Sequence, residues 1–289
     1  MAFQRSLPAR DAPRRAIRGR VRRALLALES DLPTDPPRDL HLGSLTRDDG
    51  TVLAYYKTAA GKASGAAGAQ QPGVVFLGGF MSDMSGTKAV ALEDWARRRG
   101  RAFLRFDYRG HGASSGRFED GTIGDWAGDA VAALDALTEG PQILVGSSMG
   151  GWIMLLAALA RPQRVAALVG IAAAPDFTDW GYDAAQKAEL AAGRALFEDN
   201  PYGPEPTPTY PEFWADGQAL RQLEGEIPLD CPVRLLHGQD DGEVPPEVSL
   251  RLAERLRSSD VQVTLVKGGD HRLSRERDIA LLLRTVAAL

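Results

Sequence analysis

The pentapeptide Gly146-Ser147-Ser148-Met149-Gly150 constrains this chain more than any other feature. It directly follows a short apolar run, 143–145, and directly precedes a helix-length apolar run, 150–161, that stops at Pro162. Gly146, Gly150 and Gly151 leave room for a turn so tight that its central residue takes a strained backbone conformation. On a strand-to-helix junction such a turn lifts the Ser148 hydroxyl above the C-terminal edge of a sheet. It also aims a helix N-terminus at any negative charge forming there. An inert glycine/serine turn has no need of that context, and Ser147 reads as a spacer.

The pattern around the turn alternates strands with helices. Runs 42–47 and 51–57 flank Asp48-Asp49-Gly50 and read as a hairpin, followed by a flexible Ala/Gly/Gln loop over 58–72. Strands are expected at 74–77, 103–106, 143–145, 165–171, 233–236 and 261–266. Helices are expected on the faces Ala89/Leu92/Ala96 (ended by Gly100), Ile123/Ala127/Ala130/Leu134/Leu137, Val248/Leu252/Leu256 and Ile279/Leu282/Val286/Leu289. Thr122 is positioned as an N-cap and Gly140-Pro141 as a stop. The expected fold class is therefore α/β: an eight-stranded, mostly parallel sheet with helices on both faces and an inserted lid. At 289 residues the chain is long enough to bury one large core without crosslinks.

Two segments break the rhythm. Residues 1–40 are expected to form a basic N-terminal arm, with the α/β domain and its inserted lid expected over 41–289. Positions 1–30 hold eight arginines against Asp11 and Glu29. Ile17, Val21, Leu25 and Leu28 recur at helical spacing, and Pro33, Pro36 and Pro37 close the arm. Residues 176–228 carry 11 acids, three bases, six prolines over 201–228 and many aromatics, with no convincing strand. An insertion of that length in a compact domain is commonly a lid or a binding element. Its acidity is expected to disfavour polyanionic ligands.

A serine hydroxyl is almost un-ionised at neutral pH and needs a base. Of the four histidines, His271 lies in the loop after the last strand, on the edge that carries Ser148. His237 ends the preceding strand, His111 sits in a glycine-rich loop suited to packing, and His41 is N-terminal. The base is assigned to His271, because the order Ser…Asp…His is the one expected on such a fold. Asp241 is the expected carboxylate that fixes the imidazole tautomer, with Asp240 next in rank and Asp270 read as a turn residue. Negative charge on the carbonyl oxygen requires donors. The backbone N–H of Met149 and that of Phe80, with Met81 as the alternative, are expected to supply the oxyanion hole. Met81, Trp152 and Trp180 are expected to line the substrate pocket.

Several classes are excluded or left without support. Cys231 is the single cysteine, which rules out an intramolecular disulfide or a thiolate metal cluster. The histidines are scattered with no HExxH pair, so neither metal nor cofactor is implied. A net charge of −4 argues against nucleic acid as the main partner. No apolar run approaches the roughly 20 residues of a membrane span.

Together, Gly78-Gly79-Phe80, Asp107-Tyr108-Arg109-Gly110-His111-Gly112, the Ser148 turn and His237-Gly238…Asp241…His271 resemble the α/β-hydrolase superfamily over about residues 42–289. Many members read His-Gly at the first of these, where this chain has Gly78. The segments 79–89, 105–108, 141–152 and 231–238 resemble, more narrowly, the mitochondrial palmitoyl-protein thioesterase and mycophenolic acid acyl-glucuronide esterase family with its bacterial relatives. That resemblance implies a Ser148/Asp241/His271 triad that cleaves carboxylic esters or thioesters, on small-molecule or acyl-protein substrates, without a cofactor. Amide, lactone or C–C bond hydrolysis on the same fold is the alternative, and a non-catalytic ligand-binding module a further one. The Ala/Arg-rich composition suggests a high-GC bacterial source and hence a cytoplasmic enzyme. Mitochondrial targeting by the Arg-rich N-terminus is the alternative address.

Overall fold

A computed structural model describes residues 41–61, 71–199, 204 and 206–289. The basic arm, its amphipathic spacing at 17–28 and most of the loop expected at 58–72 lie outside these residues. Ten strands and eight α-helices follow in chain order among the described residues. They are β1 (Gly43–Thr46), β2 (Val52–Thr58), β3 (Gly73–Leu77), α1 (Thr87–Arg98), β4 (Phe103–Phe106), α2 (Ile123–Leu137), β5 (Gln142–Ser147), α3 (Met149–Ala160) and β6 (Val165–Ile171). Then come α4 (Phe177–Trp180), α5 (Ala184–Ala191), β7 (Leu196–Glu198), β8 (Thr207–Thr209), α6 (Pro211–Ala219), β9 (Val233–Gly238), α7 (Pro246–Arg255), β10 (Val261–Val266) and α8 (Glu276–Ala287).

Eight strands form one sheet in the order β1-β2-β4-β3-β5-β6-β9-β10. The β1–β2 and β2–β4 pairs are antiparallel, and every pair from β4 to β10 is parallel. The central strands are buried on both faces, and alternation along them separates two apolar layers. Val75, Leu77 and Leu144 face the layer shared with α2, α3 and α7. Val74, Phe76, Ile143 and Val145 face the layer shared with α1 and α8. Thr122 caps α2 as expected, its side chain accepting from the Asp125 N–H at 3.1 Å. Gly100, at φ +63°, ends the α1 turn.

The parallel arrangement puts the loops after β3, β5, β9 and β10 on one edge. Those loops hold, in that order, Phe80, Ser148, Asp241 and His271. The insertion between β6 and β9 folds over the same edge. Asp176, at its start, accepts from the Gln222 and Leu223 N–H groups near its end, both at 2.7 Å. One buried carboxylate thus ties the two ends of the insertion together. Tyr182 bonds the hydroxyl of Thr209 at 2.7 Å, and Trp214 Nε1 donates to the Thr178 carbonyl.

The insertion differs from the expectation in one respect: β7 and β8 form a two-stranded antiparallel ribbon. Each strand has three residues, too few to show alternation, and Pro208 stands in the second. A proline is excluded from a sheet interior but tolerated where one edge of a short ribbon is unpaired.

Candidate active site

Ser148 links β5 to α3 with φ +55° and ψ −121°. A side chain in that region costs about 1–3 kcal/mol and persists only where its surroundings over-determine it. They do so here. The Ser148 N–H donates to the Ile171 carbonyl at 2.9 Å, while the Ser148 carbonyl accepts from Gly151 at 2.8 Å and from Ala174 at 3.0 Å. The flanking glycines are needed for close approach. A Cβ on Gly146 would lie 2.3 Å from the Gly150 carbonyl oxygen, and one on Gly150 would lie 2.1 Å from that of Leu77.

His271 Nε2 lies 3.1 Å from Ser148 Oγ, and its Nδ1 lies 2.9 Å from Asp241 Oδ2. Three residues separated by up to 123 positions therefore form one hydrogen-bonded chain. The Asp241 side chain is fully buried, and its other oxygen accepts from the Glu243 and Val244 N–H groups, both at 2.9 Å. Burial alone would raise its carboxyl. The hydrogen bonds from His237, His271 and the Val244 N–H outweigh burial and hold it well below the usual carboxylate range. Asp241 is thus an anion whenever the protein is folded near neutral pH.

His237 has a place that its rank as a rival base did not foresee. It is fully buried, and its Nε2 lies 2.9 Å from the Val244 carbonyl and 3.2 Å from Asp241 Oδ2. A carbonyl only accepts, so Nε2 carries the proton, and Nδ1 accepts from the Ser249 hydroxyl at 2.7 Å. His237 is a fixed donor behind the carboxylate, not a base before the serine. Its place at the end of a strand four residues before Asp241 gave no indication of the direction its ring takes.

Asp270 takes the turn role expected of it, accepting from the Leu273 N–H at 3.0 Å. His111 packs against Tyr108, Phe118 and Trp126, away from the triad, as expected of a loop-packing ring. Among the described residues no group of three or more His, Cys, Asp or Glu side chains could hold a metal ion.

The N–H of Met149 opens α3 and has no acceptor within the helix. Neither it nor the Phe80 N–H donates to a protein acceptor among the described residues. The loop that carries Phe80 passes close to the serine: a Cβ on Gly79 would sit 3.5 Å from Ser148 Cβ.

Two cavities meet at Ser148, and Phe80, Glu243 and His271 line both. The larger, about 590 Å³, also includes Met81 and the charged residues Asp83, Lys88 and Arg272. The smaller, about 190 Å³, is walled by Met149, Ala174, Phe177, Trp180 and Val244. Met81 and Trp180 are thus at cavity walls. Trp152 is not, and its expected pocket role is corrected. It is fully buried, its ring packs edge-on to Phe177, and its Nε1 donates to the Leu220 carbonyl at 3.3 Å. It sits behind the smaller cavity and ties α3 to the insertion. Glu243, one of the three carboxylates competing in the Asp241 loop, has its Oε2 3.7 Å from His271 Nε2.

The fold has counterparts among known proteins. Residues 74–203 match the model of the alpha/beta hydrolase fold family. The mitochondrial palmitoyl-protein thioesterase ABHD10 of Mus musculus is 41% identical over 273 residues, covering 90% of this chain and 89% of its own length. The chain belongs to the α/β-hydrolase family. Among solved structures, mouse alpha/beta hydrolase domain-containing protein 10 superposes with a TM-score of 0.77 at 40% identity, covering 86% of this chain and 97% of that one. A putative hydrolase from Agrobacterium vitis S4 gives a TM-score of 0.78 at 39% identity, covering 88% and 99%. The name of the mouse relative places it in the mitochondrion, so the cytoplasmic expectation finds no support among the named relatives. Among the described residues no helix is long and apolar enough to cross a membrane.

Proposed function

We propose that this α/β-hydrolase cleaves acyl esters and thioesters through a covalent acyl-enzyme on Ser148. The observation that carries the reading is the hydrogen-bonded chain from Ser148 Oγ through His271 to Asp241, at 3.1 and 2.9 Å, opening on two cavities. His271 takes the hydroxyl proton as Oγ attacks the acyl carbon, and the Phe80 and Met149 N–H groups receive the charge that forms on the carbonyl oxygen. Asp241 stabilises the imidazolium, which then protonates the leaving alcohol or thiol. Water, activated by the same imidazole, releases the acid. The Ser148 hydroxyl proton departs with the alcohol or thiol, and a proton of the attacking water restores it through His271.

The apolar walls of the smaller cavity suit the acyl chain, and the larger cavity the leaving group. In this reading residues 176–228 act as a lid, because Trp180 and Tyr182 close the smaller cavity and Thr207 reaches the larger. The thioesterase name of the relatives supports thioesters, acyl-protein thioesters included, as substrates. Their mitochondrial address, together with the eight arginines of the first thirty residues, supports the organellar alternative for this chain.

Hydrolysis of matched oxygen and sulfur esters from acetyl to palmitoyl tests the reading. Turnover of both series by the parent and of neither by Ser148→Ala is expected. Amide or C–C bond hydrolysis without ester turnover would overturn it.

A further inference from the structure

The acyl-transfer scheme gives no part to the buried pair behind Asp241. His237 lies near the end of β9 and Ser249 stands in α7, so two elements outside the reacting chain meet at the back of the carboxylate. Both side chains are buried. Ser249 Oγ lies 2.7 Å from His237 Nδ1, and His237 Nε2 lies 2.9 Å from the Val244 carbonyl and 3.2 Å from Asp241 Oδ2. A carbonyl and a carboxylate only accept, so one Nε2–H is shared between them. The same Oδ2 accepts from His271 Nδ1 at 2.9 Å. Two imidazoles therefore divide one oxygen, and only one of them faces the serine.

The charged groups around this pair come from two loops. The loop before α7 presents Asp241, and the loop after β10 brings His271 against the far side of the carboxylate. Glu243 Oε2 lies 3.7 Å from His271 Nε2, and Arg272 follows His271 in the chain. Asp240 and Asp270, the other carboxylates of these loops, act on Arg275, and Asp270 also on Lys88. From α7 the ring meets the Ser249 hydroxyl.

A donor on Oδ2 acts on direction and on charge. Oδ1 is fixed by the Glu243 and Val244 N–H groups and Oδ2 by His237, so the carboxylate is kept from turning away from His271. A hydrogen bond to a carboxylate also stabilises its negative charge and leaves less of it to hold a proton on the neighbouring ring. Burial raises the Asp241 carboxyl, and the bond from His237 leads those that bring it down.

We propose that His237, held by Ser249, is a positioning residue for the triad: its Nε2–H aims Oδ2 at His271 and shares its charge, which extends the activity of the site to lower pH. The proposal rests on the reading of Ser148 as nucleophile and His271 as its base. Without that N–H, Oδ2 binds the imidazolium form more strongly. The proton then leaves the His271–Asp241 pair only at higher pH, and the acid limb of kcat/KM moves up. A ring that merely packs β9 against α7 has no such effect.

The test is the pH dependence of kcat and KM for p-nitrophenyl butanoate, with active sites counted by fluorophosphonate and folding followed in urea. His237→Phe fills the space without the donor. Its acid limb is expected to rise by roughly half to one pH unit, and its plateau kcat to fall about three- to tenfold with KM held within about twofold. His237→Gln sets an amide nitrogen near the place of Nε2 and should keep the limb within about 0.2 pH units of the parent. His237→Leu is the second apolar filling where His237→Phe does not fold. The limb decides. Unchanged or lowered in the apolar variant, or raised as much in His237→Gln, it overturns the positioning role and leaves the nucleophile in place. Apolar variants that never fold, or that turn nothing over, overturn it as well, because a positioning residue leaves a working site with a displaced limb. No ester turnover by the parent overturns the nucleophile reading and this proposal with it.

Discussion

Replacing Asp241 by Asn keeps the side-chain volume and removes the charge that four donors share. Oδ1 accepts from the Glu243 and Val244 N–H groups, and Oδ2 faces His271 Nδ1 and His237 Nε2. An amide offers one acceptor oxygen and one donor nitrogen. With its oxygen held by the loop, its NH₂ faces both imidazoles. His271 must then accept at Nδ1, which puts its proton on Nε2, where the serine proton has to go. The wrong-tautomer penalty measured for this change in another serine hydrolase is about 10⁴ in kcat. A loss of roughly 10³–10⁴, or about 4–5.5 kcal/mol, is therefore expected here. His237 must also accept at Nε2, which strands the Val244 carbonyl, and an unpaired buried acceptor costs about 1–3 kcal/mol. The assay is steady-state hydrolysis of a short activated ester with Ser148→Ala as the floor, beside urea unfolding. The native carboxyl lies below its unfolded value, so its stabilisation is complete above about pH 4 and is lost as pH falls through the folded value. The stability gap between parent and variant should shrink accordingly in acid. A variant retaining more than a tenth of the parent kcat would refute the tautomer argument.

Other substitutions probe the supports of the site. Gly150→Ala places a Cβ 2.1 Å from the Leu77 carbonyl oxygen and should destabilise by at least about 3 kcal/mol, read in urea or as insolubility. Asp176→Ala leaves the Gln222 and Leu223 N–H groups without their acceptor; a loss of about 2 kcal/mol is expected, with proteolysis starting within the insertion. Trp180→Ala removes a wall of the smaller cavity. It should lower kcat/KM for octanoyl esters roughly tenfold and for acetyl esters less than threefold, because only the longer chain buries methylenes against it.

Much of the catalytic edge could be read from the residues because its geometry demands particular types. A serine at φ +55° between crowded backbones needs Gly146 and Gly150 beside it, and that requirement shows in the sequence as a pattern. Asp241 and His271 followed from the loops after the last two strands of a parallel sheet. What escaped depends on direction and distance. Trp152 shares the helical face of core residues, and Phe177, packed edge-on against it, stands at the cavity wall instead. His237 shows its part only once β9 aims its ring at Asp241. The β7–β8 ribbon is too short and too proline-rich to give a period. Lys88 and Arg272 lie 184 positions apart, and nothing local to either indicates that they meet.

The most direct test of the central claim is peptide-resolved mass spectrometry after reaction with a fluorophosphonate, which reports the one hydroxyl activated as a nucleophile. A single adduct on Ser148, absent from Ser148→Ala and strongly slowed in Asp241→Asn, is the predicted result. An adduct on another residue, or none on folded protein, would contradict the account.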